Sequence, residues 1–312
     1  MADQKNSQGE RSSSAKPSSS AKPSSESDLL VTAVYTAYAW IWGGMPYARL
    51  FYHPMSRFLF WAVNFFLGLY RLARLLSFRP VPSLRHSLVL RHLLIDRALR
   101  ESGAEQVLEL ASGFSMRSAR FTEDPKMSYT EVDLPQVMDL KRKALSQSPE
   151  GRSLLLRQNL RFEGSDIFSF EWIDWVDRLK PLVVIAEGLL SYFKEAEQIA
   201  LWARIEDVLR QGRGGWFVFD YVPFGEQPKS GWFGRWSSSL MKKVTGGKGF
   251  EVDDRTRREV LSQLTAAGFD EVTALDPAEL SGPRSLPFRR VKTQQLVFVC
   301  RASGPENPSG CA

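Results

Sequence analysis

Between Val107 and Pro135 the chain reads VLELASGFSMRSARF, a polar stretch, then YTEVDLP. An apolar run ends in Glu109-Leu110 and breaks at a turn of small residues, Ala111-Ser112-Gly113. A second apolar run ends in Glu131-Val132-Asp133. An acidic residue about 20 positions after a tight small-residue turn is how α/β folds hold a nucleoside: the turn admits the ligand and the carboxylate takes the ribose hydroxyls.

Dinucleotides and S-adenosylmethionine both fit that geometry. A dinucleotide fingerprint, G-x-G-x-x-G, lays a pyrophosphate on bare backbone N–H groups at a helix N-terminus. This turn has one glycine, Gly113, followed by Arg117 and Arg120. S-adenosylmethionine carries no phosphate and needs less bare backbone; it carries a ribose diol, an amino-acid end and a sulfonium cation. Glu109, at the end of the first strand, suits the amino-acid end. A second buried-strand run, Pro181 to Ala186, leads into Glu187-Gly188-Leu189-Leu190-Ser191-Tyr192-Phe193. Ligands of open α/β sheets bind outside the carboxyl ends of the strands. Glu187 is therefore expected at the same rim, with Asp166 of Gly164-Ser165-Asp166-Ile167-Phe168.

In this order, VLELASGFSMRSARF, YTEVDLP, GSDIF and IAEGLLSYF resemble the leucine carboxyl methyltransferase family, including its Tcmp-like O-methyltransferases. The family's usual elements are L-G-A-G-x-D-T-R, E-V-D-x-P, D-L-R and A-E-G-L-L-x-Y-L. Upstream, Leu90-Arg91-His92-Leu93-Leu94-Ile95-Asp96 resembles its R-x-x-x-x-D element, and Val31 to Ala37 its T-A-x-x-T-A helix. The resemblance covers roughly residues 28 to 300 and rests on several elements in order, far more specific than any one alone. It implies an α/β fold: a Rossmann-like class I methyltransferase sheet, mostly parallel with an antiparallel last strand, under an N-terminal helical cap. It implies S-adenosyl-L-methionine as cofactor. Asp133 is expected on the ribose, Gly113 at the methionine end, and Asp166 with the backbone of Ile167 at the adenine amino group. Arg91 is expected on the methionine carboxylate, and Glu187 near the methionine amine or the transferred methyl. Three positions depart from the pattern. Ala111 replaces the first Gly, Ser115-Met116 replaces Asp-Thr, and Ile167-Phe168 replaces Leu-Arg. An Ala for Gly is harmless at negative φ and costly at positive φ.

The acceptor is expected to be a small molecule, hydrophobic or aromatic, taking the methyl on a carboxyl or hydroxyl group. A carboxylate is ionised near neutral pH and needs no base, whereas a phenol gains from one. Tyr192 and His92 are the catalytic candidates. Tyr35, Tyr38 and Tyr221 are the substrate candidates, with Trp40 beside them. The alternatives are an NAD(P)-dependent oxidoreductase, which the missing glycines oppose, a catalytically degenerate methyltransferase fold serving as a binding or membrane-peripheral module, and, by analogy with the family's namesake, methylation of a protein's C-terminal carboxyl.

Residues 1–27, with the tandem S-S-S-A-K-P, are too polar to bury a core and read as a disordered arm. Residues 28–104 read as helices, 105–301 as the cofactor domain with a mobile insertion at 223–249, and 302–312 as a tail. Strands are expected at Gln106–Leu110, Ser128–Val132, Leu154–Gln158, Leu182–Ala186 and Trp216–Asp220, then near Glu271–Ala274 and Gln295–Cys300. From Asp28 to Arg100 there are nine arginines, no lysine and two acids, a net charge of +7. This stretch contains an apolar run of 13 residues, Phe58 to Tyr70. A membrane-spanning helix needs about 20, so the run is expected as a buried lid helix rather than a contact with a membrane. Nucleic acid is not expected, because the arginines alternate with Leu and Phe at helical spacing. Cys300 and Cys311 form no metal motif. A cytoplasmic location is expected from so few cysteines and a polar N-terminus.

Overall fold

The computed structural model describes residues 26–75, 84–226, 253–275 and 295–305. Three helices come first: α1 (Glu26–Trp42), α2 (Pro54–Leu75) and α3 (Leu84–Ser102). Gly43-Gly44 ends α1, with Gly44 at φ 71, a conformation that glycine adopts without strain. Gly103, at φ 66, does the same after α3.

Alternation of strand and helix then begins. The elements are β1 (Gln106–Leu110), α4 (Arg117–Phe121), β2 (Ser128–Asp133), α5 (Pro135–Ser146), α6 (Pro149–Leu155) and β3 (Leu160–Gly164). They continue with β4 (Leu182–Ala186), α7 (Glu195–Gln211), β5 (Gly214–Tyr221), α8 (Arg257–Ala266), β6 (Glu271–Leu275) and β7 (Leu296–Ser303). The sheet order is β3-β2-β1-β4-β5-β7-β6. β1 pairs in parallel with β2 and β4, and β7 runs antiparallel between β5 and β6. This is the mostly parallel sheet with a reversed last strand that the motifs implied.

β1 and β4 are buried at every residue, so their sequences, QVLEL and LVVIA, show no alternation. One face packs Trp172, Leu201, Trp202, Ile205 and Phe217 under α7 and α8. The other packs Leu90, Leu94, Ile95, Tyr129 and Met138 under α3 and α5. The order reverses at β1, where the chain leaves toward β2 on one side and returns to β4 on the other. Parallel sheets bind ligands at such a switch point.

Two expectations are corrected. The strand expected at Leu154–Gln158 is instead the last two residues of α6 and the turn after it, and the strand lies at Leu160–Gly164. Ser148 caps α6 by accepting the Gly151 N–H, and Pro149 occupies its first turn. The expected lid helix α2 is not a buried helix. Phe60 is fully buried, but Phe58 is 70% exposed and Phe66 69%. The Ser/Lys/Pro arm as far as Ser25, most of the insertion and the last seven residues lie outside the described residues.

Candidate active site

The turn after β1 is held from two sides. Asp133, the last residue of β2, accepts the Gly113 N–H on Oδ2 at 2.7 Å and the Leu134 N–H on Oδ1 at 2.7 Å. Ser112 N–H reaches the Val132 carbonyl at 3.2 Å. Burial pushes the Asp133 carboxyl up, against the pull of those two backbone donors. Ala111 and Gly113 both sit at φ 51. The glycine is relaxed there; the alanine is strained by about 1 kcal/mol. A Cβ built on Gly113 meets nothing within 4 Å, so the turn's backbone is open on that side.

From below, the turn rests on a buried ion pair. Lys141 of α5 donates to Glu131 of β2, and both side chains are fully buried. The Lys141 ammonium also donates to the Ser115 carbonyl at 2.7 Å. The hydroxyls of Ser112 and Ser118 donate to Glu131. One carboxylate thereby ties the turn, α4 and α5 together.

A second buried network joins the turn to α3 and β4. Arg117, the first residue of α4, has no exposed side-chain surface. Its Nε donates to Asp96 at 2.7 Å, its Nη1 to Glu109, and its Nη2 to Glu187 at 2.6 Å. Arg120 reaches Asp96 at 2.9 Å. Arg91 donates to Glu187 at 3.0 Å and to Asp220 at 3.1 Å. Asp220 also accepts the Gly188 N–H. His92 Nδ1 lies 2.9 Å from Glu187 Oε2 and 2.9 Å from Arg117 Nη2. One ring nitrogen can donate to the first or accept from the second, but not both. Burial alone would raise the Glu187 carboxyl. The fields of His92, Arg117 and Arg91 outweigh it and hold Glu187 well below the usual carboxylate range.

The structure brings Gly113 and Asp133 together, and separately Arg91 and Glu187. Glu109 is wholly buried; it accepts from Arg117 and from the Tyr129 hydroxyl at 2.7 Å, serving the turn from behind rather than facing a ligand. Asp166 lies at the end of β3, where it caps a short helix by accepting the Phe168 N–H at 2.9 Å; Ile167 beside it is buried. Tyr192 lies just beyond β4, close enough to Arg91 for their charges to interact. His92 is buried in the ion network, with its ring 5.1 Å from that of Trp40. Tyr35 packs on Phe60 and accepts from Asn64, and Tyr38 packs on Phe60 and Tyr52, so both serve the α1–α2 contact. Tyr221 ends β5, buried beside Arg255.

Reading the sequence passed over Asp96, Arg117, Lys141, Glu131 and Asp220 as functional positions. Arg117 had a signal, since it stands where the family turn ends in Arg. Glu131 had one too, as the Glu of the E-V-D-x-P element; Lys141 had none, because a charge in a helix gives no sign of burial. Among the described residues no cluster of three or more His, Cys, Asp or Glu could hold a metal ion. Nor is any described helix long and apolar enough to cross a membrane.

The family model described as leucine carboxyl methyltransferase matches residues 46–206. The tetracenomycin polyketide synthesis O-methyltransferase TcmP of Streptomyces glaucescens is 32% identical over 116 residues, covering 37% of this chain and 38% of that protein. A candidate S-adenosyl-L-methionine-dependent methyltransferase of Mycobacterium tuberculosis (strain CDC 1551 / Oshkosh) is 32% identical over 137 residues, covering 41% of this chain and 42% of that protein. The chain thus aligns with well under half the length of these curated relatives. The crystal structure of a candidate methyltransferase from Thermobifida fusca shares the fold, with a TM-score of 0.56 at 17% identity over 87% of this chain and 94% of that one. Since the family match covers half of the chain, running from Pro46 before α2 into α7 and taking in β1 to β4 with the Lys141–Glu131 pair and Arg117 with its three carboxylates, the chain belongs to the leucine carboxyl methyltransferase family.

Proposed function

We propose that this protein is an S-adenosyl-L-methionine-dependent O-methyltransferase. Its acceptor is a small hydrophobic or aromatic molecule that takes the methyl on a carboxyl or hydroxyl oxygen. The observation that carries this reading is the bracket of Gly113 by Asp133 at the switch point of the sheet.

The residues present fit the cofactor. Each Asp133 oxygen accepts one backbone N–H and keeps a second lone pair, which suits the ribose hydroxyls. The open side of Gly113 lets the turn approach the methionine end. The Arg91 guanidinium spends Nε on Glu187 and Nη1 on Asp220, and its Nη2 rests near Gly188. We assign that remaining nitrogen to the methionine carboxylate. Glu187 is held ionised beside it, so this end of the site offers both charges that an amino acid needs. Asp166 and the Ile167 backbone, at the end of β3, take the adenine.

When bound, the cofactor supplies an electrophilic methyl on a sulfonium. What this chain contributes is positioning: a fixed turn, a fixed carboxylate on the ribose side and a fixed ion network at the methionine side. The likeness to a polyketide O-methyltransferase supports an oxygen acceptor on a small molecule. Tyr192, beside Arg91, is the side chain we place nearest that acceptor. We place the protein in the cytoplasm, a reading that rests on Cys300 being a buried free thiol.

The test is calorimetric titration with S-adenosylhomocysteine, with NADH in parallel. Micromolar binding of the first alone supports the reading, and Asp133→Ala should weaken it by about tenfold or more, the equivalent of at least one lost charged hydrogen bond. Binding of NADH alone, or an Asp133→Ala variant that binds as tightly as wild type, sinks the assignment. Strain at Ala111 favours one rival, a fold that has lost turnover; tight S-adenosylhomocysteine binding without methyl transfer to any phenol or carboxylic acid would select it.

A further inference from the structure

We propose that the outer face of α2 docks on an anionic lipid bilayer. Among the described residues, the contacts of this helix lie on one side. Phe60 is fully buried against Tyr35 and Tyr38 of α1, and Asn64 donates to the Tyr35 hydroxyl and the Phe60 carbonyl. The opposite side carries Met55, Phe58, Trp61, Phe65, Phe66 and Leu69, all exposed. At about 100° per residue these six fall within roughly 140° of the helix circumference, one continuous stripe. Monomeric proteins seldom leave such a stripe bare, and its presence marks a contact surface.

Charge selects the occupant. From Leu29 to Ile95 the sequence holds seven arginines and not one Lys, Asp or Glu. Arg49 and Arg57 are exposed near the start of the stripe, and Arg71 and Arg74 follow it in the sequence. A second copy of the chain would meet this face with the same face, since two-fold interfaces are self-complementary. Arginines of this stretch would then oppose one another, with no acid of the same stretch to pair them. An anionic bilayer supplies the missing charge together with an apolar interior for the aromatic rings. Trp61 suits the headgroup level, where an apolar ring with one polar N–H is at home. The helix lies on such a surface rather than crossing it. This inference stands apart from the methyltransferase reading, because none of its residues belongs to the cofactor site.

The experiment is co-sedimentation of the full chain with phosphatidylcholine vesicles, made with and without phosphatidylglycerol, alongside light scattering in the absence of lipid. The expected result is a monomer that sediments with the phosphatidylglycerol vesicles and is released by salt. The Phe58→Ser/Phe65→Ser/Phe66→Ser variant should bind them about tenfold or more weakly, having lost three exposed aromatic rings. Its urea midpoint should match wild type, because all three rings are exposed. Arg57→Glu should weaken binding without removing any apolar surface. Failure of wild type to sediment, equal binding to vesicles lacking phosphatidylglycerol, or a dimer that the triple variant dissociates would each overturn the proposal, the last in favour of a second copy.

Discussion

Arg117 Nη2 and Glu187 Oε2, 70 residues apart in sequence, meet at 2.6 Å and join the cofactor turn to the end of β4. Loss of Arg117 would leave the buried Glu109 without its paired cation. Arg117→Met should lower stability by about 3–5 kcal/mol, because Asp96, Glu109 and Glu187 all lose their shared cation. The urea midpoint reads this, and a variant within 1 kcal/mol (~0.5–1) of wild type would show the network to be dispensable.

Ala111 supplies the opposite case, a position where the present residue is the costly one. Its φ of 51 is the region that glycine occupies freely. Ala111→Gly should raise stability by about 1 kcal/mol, provided the strain relieved exceeds the extra freedom of the unfolded chain. The urea midpoint should rise with an unchanged slope.

Lys141 and Glu131 give a test of pairing. Lys141→Met leaves Glu131 fully buried with only the Ser112 and Ser118 hydroxyls to satisfy it, at an expected cost of about 3 kcal/mol. Adding Glu131→Leu should recover part of that loss, since an apolar pair strands no charge. Affinity for S-adenosylhomocysteine should stay reduced in both, because the Ser115 carbonyl has lost its tie to α5. Full recovery of affinity in the double variant would mean that the turn does not depend on this anchor.

The acid limb of stability should carry the mark of Glu187. Its carboxyl is held well below its ordinary value of 4.5. A carboxylate depressed in the folded state contributes stability that is fully present above the unfolded value. That contribution is lost as pH falls through the folded value. Wild type should therefore lose stability on acidification below pH 4.5. Glu187→Gln should be less stable near neutrality and lose less on acidification. Urea midpoints across the acid range measure both; parallel curves for the two proteins would remove Glu187 from the account. Asp133, raised by burial, acts with the opposite sign and blunts the wild-type slope.

The parts of the fold legible from sequence were those whose pattern has one solution. β1, β2 and β4 are short apolar runs closed by small or acidic residues; β1 and β4 end where the pattern put them and β2 runs one residue further, to Asp133. The run Leu154-Leu155-Leu156 admitted two solutions, and the cap at Ser148 with Pro149 decided for helix. α2 is apolar on more than one side, so its periodicity could not say which face the protein covers. Gly113 and Asp133 were legible because their spacing is a local property of one strand-turn-strand unit. The ion networks were not, because Arg117 finds its acids 8, 21 and 70 residues away and only the folded sheet brings them together.

The sharing of one guanidinium among carboxylates from α3, β1 and β4 also sets how this protein can drift. Replacement of the guanidinium itself strands Glu109 in the interior without a paired cation, a step that purifying selection is expected to remove. The set is therefore expected to be inherited whole, and to change only by near-simultaneous replacement of partners. The bare face of α2 has no such linkage, and each of its side chains is free to vary on its own. Within one chain, the cofactor framework should keep a slow clock and the docking face a fast one.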